Sequence, residues 1–307
     1  MNAKQLKIIA IVLGAAVLLY LPRLFRDDGS GGSVEVGDGF RFSFEDAVTR
    51  VDISEPENGD TIRLEHSSNG WTVDGYQADE TKIADLLEVL PNLFSDVLVA
   101  RNPANHTNMG VSESGRRITV YTEGAGPIAF HLGKRDMRGA GYFVRTAGAD
   151  AVFRLDSPAC GYLSRERDGW RPRTLASVDT AQVSEIVLQR DGTETVLQRS
   201  GSGWIAGEAV ADSAAMENIL RLLANLSLTA FTSEEEAAAA DFSQPQASID
   251  VFYATEEAVT ENTLALSLLL IEDEERGDWL VRHAAGSEVY RLATFTVNRL
   301  LPENLTP

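Results

Sequence analysis

Few of the residue types that carry chemistry are present. One cysteine, Cys160, occurs in 307 residues, so no intrachain disulfide can form. That suits a reducing compartment, or a bacterial extracytoplasmic domain large enough to fold without staples. Cys160 sits in DSPACGYL with no histidine nearby, and a buried structural thiol is its expected role. The four histidines, His66, His106, His131 and His283, stand at no metal-ligand spacing, and neither His-Glu-x-x-His nor Cys-x-x-Cys occurs. His66 and His131 fall in predicted strands, where they are expected to face solvent. Gly-x-Ser-x-Gly and the P-loop are both missing. Gly124-x-Gly126-x-x-Ala129 mimics a dinucleotide fingerprint, but a strand-like IAFHLGK follows it. With no helix N-terminus to face a phosphate, it reads as a hairpin turn. No catalytic, cofactor-binding or metal residue is assigned, no cofactor is expected, and the protein is read as no enzyme.

Positive charge is scarce as well. Lys and Arg number 27 against 46 Asp and Glu, a net charge of −19. All four charges in residues 1–26 (Lys4, Lys7, Arg23, Arg26) are positive, which leaves −23 for residues 27–307. Such a surface repels nucleic-acid phosphates and anionic lipid head groups, so no nucleic-acid partner is expected. The acid is read as a device for solubility. With 44% hydrophobic and 24% charged residues, the composition is that of a globular chain, long enough for about two domains.

What is present begins with an apolar run. Residues 8–21 (IIAIVLGAAVLLYL) are uncharged, with lysines before and arginines after. Taken from Leu6 to Phe25 the stretch spans roughly 30 Å as a helix, one bilayer core. No small-x-small cleavage site follows it and no cysteine is there to take a lipid. An uncleaved transmembrane anchor over 1–26 is therefore expected, with a Gly/Ser-rich flexible linker over 27–46.

The chain then says nearly the same thing twice. Trp71 precedes Ala78-Asp79 and Ile83, Leu86, Leu87 and Leu90; Trp204 precedes Ala211-Asp212 and Met216, Ile219, Leu220 and Leu223. The offset is 133 throughout, which marks two copies of one folding unit. Alternating apolar residues before each tryptophan predict a hairpin. Asp79 and Asp212 stand at N-cap positions before a helical stripe. Later, GYFVRTAGADAVFRLD (141–156) resembles DWLVRHAAGSEVYRLA (278–293) at offset 137. The expected fold is α+β: two tandem modules, 47–175 and 176–307, of mostly antiparallel sheet with one main helix each, behind the N-terminal transmembrane helix.

The anchor, SNGWTVDGYQADETKIADLLEVL, HLGKRDMRGAGYFVR and GSGWIAGEAVADSAAMENILRLL together resemble the bacterial family known as domain of unknown function 4340, over about residues 47–300. The resemblance implies a single-pass envelope protein with an accessory role near a gliding-motility-type ABC transporter. It implies no catalytic residues. The second copy has LIEDEERGDW where the first has HLGKRDMRGAGY, so a site shared at that loop is in doubt.

Two further features stand out. Lys134, Arg135 and Arg138 concentrate in GKRDMRGAG, a solvated hairpin tip or a contact for an anion or partner. SEEEAAAAD (233–241) reads as a solvated helix capped by Ser233. Trp71, Asp79, Trp204 and Asp212 are read as framework, a core tryptophan and a capping aspartate in each copy. The expectation is an extracytoplasmic accessory or scaffold protein at the bacterial inner membrane, with the membrane and a membrane-complex protein as partners. The alternatives are a periplasmic glycan- or peptide-binding module, which needs an exposed aromatic cleft, and a hydrolase, which needs a nucleophile such as Cys160 beside a histidine.

Overall fold

Period-two alternation sends every second side chain of a strand to one face of its sheet, and in this chain those side chains line up from strand to strand. A computed structural model describes residues 39–56, 59–137, 139, 141–201, 203–254 and 262–306. The chain divides at Arg171/Pro172 into two units.

In the first unit, strands numbered in chain order form a nine-stranded sheet. Its order is β5 (Tyr76–Gln77), β4 (Gly70–Val73), β3 (Asp60–Ser67), β2 (Val48–Glu55), β8 (Arg117–Thr122), β9 (Ile128–Arg135), β10 (Tyr142–Thr146), β11 (Val152–Leu155) and β7 (Leu98–Ala100). Every pairing is antiparallel. β1 (Phe40–Ser43) pairs separately with β6 (Asn92–Ser95). The register builds apolar rungs: Val73, Leu64, Val51 and Val120 lie side by side, as do Ile62, Ile53, Ile118 and Phe130. Phe40 and Phe42 pack edge-on against Phe130. Ile83 and Leu86 of the helix Glu80–Val89, and Ala159, Cys160 and Leu163 of the helix Pro158–Leu163, are buried in this same core.

The second unit repeats the order strand for strand: β16 (Ala209–Val210), β15 (Gly203–Ala206), β14 (Thr193–Ser200), β13 (Val183–Arg190), β19 (Ala247–Tyr253), β20 (Thr263–Asp273), β21 (Asp278–His283), β22 (Tyr290–Ala293) and β18 (Ala230–Phe231). β12 (Thr174–Ala176) pairs with β17 (Leu226–Ser227) as β1 does with β6. Asp191 and Gly192, at φ 50° and 79°, make the tight turn between β13 and β14. The helix Ser213–Ala224 buries Met216, Ile219 and Leu223 against the sheet.

The spacing from tryptophan to helix has a physical cause. The Ala78 N–H donates to the Trp71 carbonyl at 3.0 Å and Ala211 N–H to Trp204 at 2.9 Å, closing the turn that leaves the strand. The next N–H, of Asp79 or Asp212, donates at 2.8 Å to a carbonyl near the module's end, Trp170 or Leu305. The same aspartate's carboxylate accepts from the first-turn amides, Thr81 and Lys82 or Ala215. Six residues between Trp and Ala-Asp therefore hold a strand, a turn, a helix start and the module's final segment in one place.

The described residues are 44% strand and 20% helix, in two sheet-rich modules as expected. Two expectations are corrected. No helix among the described residues is long and apolar enough to cross a membrane. The transmembrane helix of the expected fold has no counterpart there, and residues 1–26, on which it falls, lie outside the described residues. The expected linker 27–46 overlaps β1, whose Phe40 and Phe42 are core residues, because their aromatic faces complete the packing on Phe130.

Asp79→Ala and Asp212→Ala are each expected to cost about 1 kcal/mol of stability in urea titration, the scale of a lost N-cap, and Asn in either place much less. Equal losses for Ala and Asn at both positions would contradict the capping role.

Candidate functional site

Trp71 and Trp204 are both buried. Trp71 lies against His66, ring centroids 5.4 Å apart, and Trp204 lies under the Arg199 guanidinium at 5.0 Å. Neither offers an aromatic platform to a glycan. Cys160 is fully buried, and burial pushes its thiol up to about 12. Thiolate, the reactive form, is thus withheld, and among the described residues no histidine bonds to it. The folded protein is expected to resist a thiol-disulfide reagent at neutral pH and to react once unfolded; rapid labelling of the folded form would contradict this.

Lys134 and Arg135 end β9 as exposed side chains, and Arg138 lies outside the described residues. Lys134 lies beside Gly110, on a shallow cleft of about 340 Å³ that Arg116, Ser114, Ser164 and Glu55 also line. Arg116 is neutralised there by Glu55 and Glu166 and donates to the Leu163 carbonyl at 3.1 Å, capping a helix end. The second module's matching hairpin tip, Asp273 to Gly277, carries carboxylates instead. Ser233 caps its helix as expected, and Glu236 reaches back to the Ser233 N–H to complete a capping box. Glu236 is not merely solvated, for it also pairs with Arg276 at 2.6 Å and Arg291 at 3.1 Å.

His131 corrects another expectation: it is fully buried instead of facing solvent. Phe130 and Leu132 point into the core, so His131 occupies the other sheet face, beside Arg145 of β10. Residues 111–113 cross that face and are pinned by the buried Arg145, which donates to the Val111 carbonyl at 2.6 Å and to Glu113 at 2.6 Å. His131 Nε2 lies 3.4 Å from Glu113. Burial, then the Arg145 charge, lowers the imidazole to about 4, while the bond from Arg145 lowers the Glu113 carboxyl. The register places Leu269 at the matching position of the second module, beside Arg282, which there lies 4.8 Å over Phe242. The other histidines stand apart: His106 bonds the Asp150 carbonyl and His283 that of Leu175. Among the described residues, no cluster of His, Cys, Asp or Glu fit for a metal occurs.

The feature that sequence reasoning missed lies at the end of the first sheet. Phe94 is 50% exposed, and Val97, Leu98 and Val99 are 40%, 41% and 40% exposed. They run through β6 and β7, and β7 is the last strand of its sheet. The other large exposed apolar side chains, Met137, Val210, Leu264 and Phe295, stand apart in the chain. The alternation in NLFSDVLVA shows a strand but not which strand ends the sheet. A comparison of the copies carries the signal, because offset 133 matches Phe94, Val97, Leu98 and Val99 to Ser227, Ala230, Phe231 and Thr232. In the second module, Phe231 is covered by Tyr290 and Arg173, and the Thr232 hydroxyl bonds the Val289 carbonyl.

The fold and this edge define a duplicated antiparallel-sheet protein whose first module ends on an exposed apolar strand and whose second ends on a covered one. The chain belongs to the family domain of unknown function 4340 (DUF4340), whose model matches residues 71–245 in a single span across the Arg171/Pro172 division. No curated protein and no solved structure matches it.

The buried imidazole makes a pH prediction. Between pH 6.5 and about 4 the unfolded chain binds a proton at residue 131 that the folded chain refuses. Stability therefore falls on acidification across that window, by up to ~3 kcal/mol. Below 4.5 the protonation of Glu113, whose folded pKa is depressed, acts in the same direction. In His131→Leu the drop in urea midpoint from about pH 7 to about pH 5 is expected to shrink; an unchanged drop would contradict the assignment.

Proposed function

We propose that this protein is an accessory or scaffold subunit of an envelope complex, working by binding protein rather than by catalysis, beside an ABC-type transporter of the gliding-motility kind. The observation that carries the reading is the run of exposed apolar side chains Phe94 on β6, Val97 in the link, and Leu98 and Val99 on β7, the terminal strand of its sheet. A soluble surface rarely keeps such a run without an occupant, and a bare apolar edge invites aggregation. The same positions of the second module are polar or covered, so the duplicated framework does not require the run. Placement at the bacterial inner membrane, with the two modules on the extracytoplasmic side, belongs to the same proposal and draws on the apolar residues 8–21. The transporter association draws on the family resemblance. The glycan-binding and Cys160-hydrolase alternatives lose their support with the burial of Trp71, Trp204 and Cys160.

The test is affinity capture of full-length protein from detergent-solubilised membranes. A membrane-complex protein is expected to be recovered with the wild type and lost with Leu98→Asp, both folded alike by circular dichroism. Recovery of no membrane partner, or equal recovery with the variant, would contradict the proposal.

A further inference from the structure

Resting on that reading, we propose that β7 receives an extended segment of the partner as a tenth strand of the first sheet, and that this segment has alternating apolar side chains with carboxylates at its flanks. Among the described residues β7 pairs with β11 alone; the Val97 and Leu98 N–H groups donate within the chain, to Ser95 Oγ at 3.2 Å and to the Asp96 carbonyl at 3.0 Å, so the edge open to a further strand begins after the Leu98 N–H. Added strands gain main-chain hydrogen bonds there and place alternate side chains on each sheet face. Val97, Leu98 and Val99 supply apolar contacts for those side chains.

The flanking charge sets the partner's chemistry. Arg41 lies with its guanidinium 4.6 Å over the Phe94 ring, and Arg101 follows directly after β7. Both are exposed, and among the described residues neither enters an ion pair. Other arginines of the module are tied down, Arg116 to Glu55, Arg145 to Glu113 and Arg167 to Asp74, whereas Arg117 and Arg135, exposed like Arg41 and Arg101, lie on β8 and β9 and not beside β7. In a chain of net charge −19, two unpaired guanidiniums beside an apolar edge favour an acidic partner and disfavour a basic one. The second module reverses the sign at the position matching Arg101, where offset 133 places Glu234. Asp96, exposed within the patch, and the acidity of the whole weigh against docking on an anionic bilayer.

The experiment uses full-length protein in detergent and two fluorescent peptides of alternating Val and Thr, one ended by glutamates and one by lysines. The acid-ended peptide is expected to bind about tenfold or more tightly than the lysine-ended one, the scale of an interface hot spot. Arg41→Glu with Arg101→Glu reverses the preference. Arg101→Gln, a milder change, reduces it. Hydrogen exchange of the residue 99–101 amides slows on binding, which side-chain docking alone does not produce. Equal binding of the two peptides, unslowed amides, or slowing by phosphatidylglycerol vesicles instead of by peptide would each overturn the proposal. Loss of the captured partner on Leu98→Asp alongside such a result overturns strand addition and leaves protein binding standing, whereas capture of no partner removes the reading beneath it.

Discussion

Each module depends on one residue being tied in two directions. The aspartate after the tryptophan turn uses its carboxylate to start the main helix and its N–H to hold the carbonyl of a residue more than ninety positions later, Trp170 for Asp79 and Leu305 for Asp212. The helix in turn covers the apolar rungs of a nine-stranded sheet, which supply most of the burial in the module. The aspartate is thus where the start of the main helix meets the end of the unit. A small alanine beside it, buried in both copies, allows the close approach.

Around this common frame the copies have parted in the chemistry of their second sheet face. Arg145 and Arg282 occupy matching places. One pins residues 111–113 through carbonyl and carboxylate bonds, and the other lies over an aromatic ring. His131, with Nδ1 unpaired and Nε2 met only by the Glu113 carboxylate at 3.4 Å, is the cost of the polar version, since an unpaired buried polar atom weakens a fold. Leu269 avoids that cost, and Phe242, Leu280 and Val289 form a small apolar cluster over that side of the second sheet. Arg291 is the buried charge of the second module, satisfied by Asp273, Asp278 and Glu236. Two solutions to covering one face, polar and apolar, thus sit on a single topology.

Much of the frame was legible in the sequence, because it rests on local rules. Trp71 and Trp204, the capping aspartates and the helical stripes follow from spacing alone, and the Ser233 N-cap from residue type. The burial of His131 was not legible, since alternation says which residues share a face and not what later crosses it. Phe40, Phe42 and Phe44 alternate directly after a Gly/Ser-rich run, and what makes them core is the distant Phe130 and the pairing with β6, neither of which a local pattern shows. The apolar edge was hidden for another reason. Val97–Val99 reads as interior strand until the sheet order shows that β7 comes last, and that order is set by long-range pairing.

Division of labour between copies is the central claim: common framework carries the fold, and the edge of the first module carries the binding. Photo-cross-linking in intact cells, with a photoreactive residue placed at position 98 in one strain and at its counterpart 231 in another, tests it most directly. The account predicts a discrete cross-linked partner from position 98 and none from 231. A partner captured from 231 alone, or from both positions alike, would contradict it.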